Sequence, residues 1–188
     1  MVRPSVMLQL KNKMKKTHLL KILAVLNIGT ASAAPYKGVE VSTDEDKVVY
    51  YDSKISKIVS VNVTDNKILK IDVPKRVFSC YAFSDTIVAI THDGFFHLYV
   101  KNIFNKTIKV ENTFAIHSYC ESYENGQFCI LIKSGKEYKV IQYRLMNNEI
   151  NPVGEKLVKG TGALVMRNKQ IWLLGRDFEE KINFGAAL

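Results

Sequence analysis

Acidic residues are missing from the first 33 positions of this 188-residue chain, while six of its 27 lysines and arginines fall there. Residues 34–188 therefore carry 21 bases against 18 acids, a net of +3 rather than the +9 of the whole chain. So small an excess gives no electrostatic footprint for nucleic acid. Proline is scarce, at four residues, and no low-complexity stretch interrupts the chain, which excludes a linker and a second domain. The three cysteines lack C-x-x-C spacing, and the histidines lack H-x-x-x-H order, so no zinc ligand set can be read from spacing. After residue 36 no capped window keeps apolar residues at helical spacing, which excludes a helical domain. G-x-S-x-G and H-E-x-x-H are absent, and Gly160-Thr161-Gly162 has neither the lysine nor the helix of a phosphate loop.

What is present is self-similarity. Residues 48–73, 87–112, 128–153 and a shortened copy at 171–184 share one hydrophobic pattern, with starts 39, 41 and 43 residues apart. Each copy opens on four or five apolar residues and breaks at a turn cluster: Asp52-Ser53, His92-Asp93-Gly94, Ser134-Gly135 or Gly175-Arg176-Asp177. A second strand follows. Another break at Asp65-Asn66, Asn105-Lys106 and Asn147-Asn148 precedes a third, resuming at Ile68, Ile108 and Ile150. One more candidate strand lies ahead of each copy, at residues 38–42, 77–83, 116–123 and 163–167, which makes four strands per unit. The strands are rich in Val, Ile, Tyr and Phe, and the breaks carry Asn, Asp and Gly, as hairpins require. Asn125-Gly126 is the clearest two-residue turn; it would pair Glu124 with Gln127 and set Cys129 opposite Ser122, diagonal to Cys120.

Four-stranded units of about forty residues in succession point to an all-β, β-propeller-like fold over residues 34–188. It would have about four antiparallel four-stranded blades, the last incomplete because the outer strand of the fourth copy is missing. A β-sandwich with hairpins of similar length is the alternative. An incomplete last blade leaves an open edge near residues 179–184, which would recruit a partner or a second copy.

From residue 36 onward the chain resembles the propeller superfamily. Trp172 is followed by Leu, not Asp, and no Gly-Gly pair occurs, so neither WD nor kelch blades fit. Asp65-Asn66-Lys67-Ile68 and its counterparts are similar to quinoprotein-like blades, although the glycine and tryptophan docking positions are missing, and no cofactor is implied. With the leader included, the chain resembles the family of large lumenal propeller subunits of the endoplasmic-reticulum membrane complex, where a signal leads straight into such blades.

That leader has a basic region, an apolar stretch at residues 19–28 and the small run Thr30-Ala31-Ser32-Ala33-Ala34. This is the layout of a signal peptide spanning residues 1–33 and cut between Ala33 and Ala34. Ten residues interrupted by Lys21 and Asn27 fall short of the ~20 a membrane span needs, so the membrane is met only transiently. Met14-Lys15-Lys16 is the more ordinary start, which makes residues 1–13 an upstream extension. The expected address is extracellular or the lumen of the endoplasmic reticulum. Sequons at Asn62 and Asn105 are glycosylation candidates, with Asn105 favoured because Asn62 falls inside a predicted strand. Cys80, Cys120 and Cys129 allow one disulfide with a thiol left over, and sequence leaves its pairing open.

The expected function is a non-catalytic scaffold that binds a protein at its loop face or open strand edge, oligomer formation included. The enzymatic alternative, a propeller hydrolase or lyase, needs carboxylates on the inner strands, where only Glu40 and Glu121 form a pair. His92-Asp93 is a weaker general-base candidate, better read as a turn. Cys80, Cys120, Cys129 and His117 have the side chains of a zinc site without its spacing. Asp44-Glu45-Asp46 reads as solvated acids. A self-associating coat protein is the third reading.

Overall fold

The computed structural model describes residues 41–44, 47–62, 64–74, 77–110, 115–122 and 126–184. The leader, the Ala33-Ala34 junction and Glu40 lie outside them. Among the described residues there are only strands and turns. In chain order the strands are β1 (Val41–Asp44), β2 (Lys47–Asp52), β3 (Lys57–Asn62), β4 (Ile68–Asp72), β5 (Val77–Phe83), β6 (Thr86–Thr91), β7 (Phe95–Val100), β8 (Ile103–Lys109), β9 (Ala115–Glu121), β10 (Gln127–Ser134), β11 (Glu137–Met146), β12 (Glu149–Val158), β13 (Ala163–Arg167), β14 (Gln170–Leu174) and β15 (Glu179–Ile182).

Consecutive strands close into antiparallel meanders: β1 to β4, β5 to β8, β9 to β12, and a three-stranded β13 to β15. We call these sheets 1 to 4. The expected units of four with a short last member are what the chain forms. A sandwich is ruled out because the strands make four separate sheets. The inner strands expected at 77–83 and 163–167 are β5 and β13, and 38–42 overlaps β1 at Val41 and Ser42.

The sheets stack in series through apolar faces. Val49 and Ile58 of sheet 1 meet Cys80, Ala82 and Ala89 of sheet 2. The opposite face of sheet 2, with Tyr81, Ile90 and Phe96, meets Phe128, Ile130 and Tyr143 of sheet 3. Leu131 and Val140, on the far face of sheet 3, meet Leu164, Ile171 and Leu173 of sheet 4. Sheets 2 and 3 are thus apolar on both faces, which is why β6 is buried at all six positions and β10 at its first six. Polar bonds tie the stack as well: Lys47 Nζ donates to Ser84 O (3.0 Å) and Leu164 N to Ser118 Oγ (2.9 Å).

Two turn assignments are corrected. The second break of the second unit is not Asn105-Lys106 but Lys101-Asn102, both left-handed at φ 49° and 67°, so β8 starts at Ile103. Asn147-Asn148 and Asn168-Lys169 form the same kind of turn, which needs positive φ at both central positions. Lysine there sends no signal in sequence. Asn125-Gly126 does not close a two-residue hairpin either: Ser122 N donates to Gln127 O at 3.0 Å, and Cys129 stands opposite Cys120, not Ser122. The carbonyl of Gly126 accepts instead from Leu145 N of β11 at 2.7 Å, which extends the β10 ladder.

Ser79 is a local defect in this core. It is 1% exposed, and among the described residues its hydroxyl has no hydrogen-bond partner. An unmade bond at a buried hydroxyl costs about 1–3 kcal/mol. Ser79→Ala is therefore expected to raise the unfolding free energy by up to about 1 kcal/mol once the lost packing is deducted. A denaturant titration showing destabilisation would place a partner on that hydroxyl.

Candidate functional site

Strand direction alternates through the meanders, so the turns fall at two ends of the stack. The near end gathers the connections that follow even-numbered strands, including His92-Asp93-Gly94 and Ser134-Gly135-Lys136, together with Val110 and Ala115. At that end two inner strands carry a bulge. In β5 the register passes from Val77 opposite Thr91 to Ser79 opposite Ile90, leaving Phe78 unpaired. In β9 it passes from Ile116 opposite Ile132 to Ser118 opposite Leu131, leaving His117 unpaired. A bulge re-aims its extra side chain out of the alternation.

Phe78 stacks on His92 with ring centroids 4.4 Å apart. The His92 turn is pinned to the start of β9, because Ile116 N donates to His92 O at 2.9 Å and His92 Nδ1 lies 3.4 Å from Ile116 O. His117 meets Tyr138 edge-on at 5.6 Å, and Lys133 Nζ lies 5.8 Å above the same ring. His92, His117 and Lys133 are exposed, whereas Phe78 and Tyr138 are half-buried. Desolvation lowers the His117 pKa from its ordinary value, and the positive charges of Lys133 and His92 lower it further. Asp93 acts on another imidazole, His97: burial lowers the His97 pKa and Asp93 opposes that shift. His97 Nδ1 lies 2.8 Å from Thr107 Oγ1. The ring of His92 is thus oriented by a backbone carbonyl and a phenyl ring.

The other sequence candidates are dispersed. Glu121 is half-buried near the far end of β9, with Tyr119 OH 3.4 Å from its Oε1. Its expected partner Glu40 falls outside the described residues. Cys80 lies between sheets 1 and 2, while Cys120 and Cys129 lie between sheets 3 and 4. All three are buried, and desolvation, with Cys120 alongside, pushes the Cys129 thiol well above its usual range. Among the described residues no three of His, Cys, Asp and Glu gather as metal ligands. Of the sequons, Asn62 lies in a strand as expected, as the last residue of β3 with its Oδ1 accepting from Thr64 N (2.8 Å) and Asp65 N (3.3 Å), whereas Asn105, expected at a turn, is exposed inside β8 at a register shift.

A second surface lies at the end of the series. By register, Val165 and Trp172 stand side by side on the face of sheet 4 turned away from sheet 3, with Ala163 and Leu174 next to them. Val165, Trp172 and Leu174 are half-buried and Ala163 is exposed. Arg167 stacks over Trp172 at 5.9 Å and reaches Glu179 at 3.7 Å. Among the described residues no strand flanks the outer edge of β15, where sheets 1 to 3 have a fourth. Neither bulge nor register could be read from sequence, so Phe78, Lys133 and Tyr138 were not singled out there.

Four meandering sheets in face-to-face series make this a β-propeller-like protein. No protein-family model matches the chain, nor does any curated protein. Among solved structures it is similar to the computationally designed Ika4 protein, at 10% identity and a TM-score of 0.54 over 82% of this chain and 96% of that one. It is similar to BBS1N, a β-propeller protein crystallised in complex with ARL6DN, at 9% identity and a TM-score of 0.58 over 78% of this chain and 47% of that one. A third is hydrazine synthase of Kuenenia stuttgartiensis, at 7% identity and a TM-score of 0.52, with 78% and 47% covered. The chain spans about half the length of the last two.

Proposed function

We propose that this protein is a secreted or endoplasmic-reticulum-lumenal, non-catalytic scaffold that binds a protein partner through its near-end loops or the open side of sheet 4. The outward face and outer edge of sheet 4 carry the reading. The described sheet-to-sheet interfaces cover apolar faces with the next sheet, and a strand edge with an aromatic neighbour is a ready template for association. BBS1N, crystallised with a bound protein, supports the use of such a fold as a binding platform. The address rests on the leader, with Asn62 and Asn105 as the glycan sites.

Trp172 is the sole tryptophan of the chain, so its emission reports on sheet 4 alone. The test is expression in a eukaryotic secretory host, with intact mass before and after glycosidase, mass in solution and acrylamide quenching of Trp172. The expected product starts at Ala34, is glycan-shifted, runs as a defined complex and shields Trp172 from quencher. An uncleaved, retained chain would overturn the address. A lone monomer whose Trp172 stays fully quenchable when co-expressed with candidate secretory partners would overturn the sheet 4 interface.

A further inference from the structure

Two bulges on neighbouring inner strands place side chains at the same end of the molecule, which regular alternation would not do. Val77 and Ser79, flanking Phe78, are buried, so without the bulge the outward turn of Phe78 towards His92 would be lost. In β9 the bulge moves His117 onto the side where Lys133 and Tyr138 pair directly across β10 and β11. The His92 turn of sheet 2 is clasped to β9 of sheet 3, so the cluster spans two blades and is held at its backbone rather than carried on a loose loop.

The described groups in it are basic. His117 feels Lys133 and His92, both of which disfavour its protonation. Asp93, the carboxylate in the same turn, is directed at His97. Among the described residues Lys133 has no carboxylate partner, whereas Lys57, Lys106, Lys139 and Lys156 each reach one. Basic groups gathered between two half-buried rings, with no carboxylate partner for Lys133 among the described residues, offer an anion favourable contacts.

Resting on the scaffold reading above, we propose that this near-end cluster is an anion-binding site for an acidic peptide segment of a protein partner. Lys133, His92 and His117 meet its carboxylates, and Phe78 and Tyr138 pack against its apolar atoms. The pH dependence has a definite sign. A bound carboxylate favours the imidazolium, so binding takes up a proton at His117 and tightens as pH falls towards its lowered range. Among the described residues, Lys133, Tyr138 and His92 face His117.

The probe is a fluorescein-labelled hexaglutamate peptide, followed by anisotropy at pH 5.5, 6.5 and 7.5, with a heparin-derived oligosaccharide tested alongside. Binding is expected to tighten about tenfold from pH 7.5 to 5.5 and to weaken with added salt. The double variant His92→Gln/His117→Gln is expected to lose the pH dependence, and Lys133→Gln to weaken binding about tenfold at every pH. Lys67→Gln/Lys101→Gln, at the far end, is expected to leave both unchanged. Lys133 is exposed, so its variant keeps the test decisive if the histidine pair disturbs folding. Equal loss in near-end and far-end variants, no peptide binding, or binding of the oligosaccharide alone would overturn the site. A partner that still protects Trp172 in the Lys133→Gln protein would leave the scaffold reading standing while this site falls.

Discussion

Phe128→Ala is expected to remove about 3–5 kcal/mol of unfolding free energy, measured as a lower denaturant midpoint at unchanged slope. Phe128 is fully buried where sheets 2 and 3 meet. It sits 5.0 Å from Tyr81, edge-on to Phe96 at 5.6 Å and stacked on Tyr143 at 5.7 Å, with Tyr119 at 6.0 Å. Such pairs add about 0.5–1.5 kcal/mol each beyond buried area. Truncation would also leave a void between two rigid sheets that cannot close over it. Against a typical total of about 5–15 kcal/mol, this loss takes a large share. A change under about 1 kcal/mol would mean that the two sheets do not pack across this ring.

Gly162→Ala is the second large effect. A Cβ there would fall 2.3 Å from Leu174 O, 2.7 Å from its carbonyl carbon and 3.0 Å from Gly175 N. All three are backbone atoms at the end of β14, so no side-chain rotation relieves the clash. Either the link from β12 to β13 moves outward or the pairing of Ala163 with Leu174 is lost. The expected cost is about 3 kcal/mol, the upper part of the usual range for overpacking. Trp172 lies two residues from Leu174, so its fluorescence should lose the folded signal at lower denaturant than strand circular dichroism does. Coincident transitions would show that sheet 4 unfolds only with the rest. Gly135→Ala is the control: a Cβ there meets nothing within 4 Å, and only its φ of 62° resists substitution. It should cost about 1–2 kcal/mol, the left-handed penalty alone.

The near-end cluster and the core answer to different stresses. Desolvation and like charge depress protonation of His117 in the folded state. That contribution to stability is complete above the unfolded value near about 6.5 and declines as pH falls through the lowered folded value. The same acidification is what an anionic segment would exploit, so the ligand would offset the strain where it is greatest. No such dependence attaches to the sheet 4 face, whose apolar groups do not titrate.

How much of this was written in the chain can be judged residue by residue. Strand identity was local, because four or five apolar residues bounded by Asn, Asp or Gly suit a strand in any tertiary setting. So β5 and β13 lie where the sequence places them, and the units of four and the short fourth unit follow from copies about forty residues apart. Turn position was less local. Lys101-Asn102 adopts left-handed backbone that lysine does not advertise, so the break assigned to Asn105-Lys106 moved four residues.

The sequence by itself determined an all-β chain of repeated four-stranded units, their apolar faces and the imbalance of charge towards the first 33 residues. The tertiary structure alone decided register: that Phe78 and His117 are bulged, that His92 clasps β9, that Cys129 faces Cys120 and that Trp172 lies half-buried on the face of sheet 4 turned away from sheet 3. The physical reason is that alternation along a strand is fixed by its own residues. Which strand stands opposite, and by how many residues it is offset, depends on hydrogen bonds and side-chain packing between segments far apart in the chain.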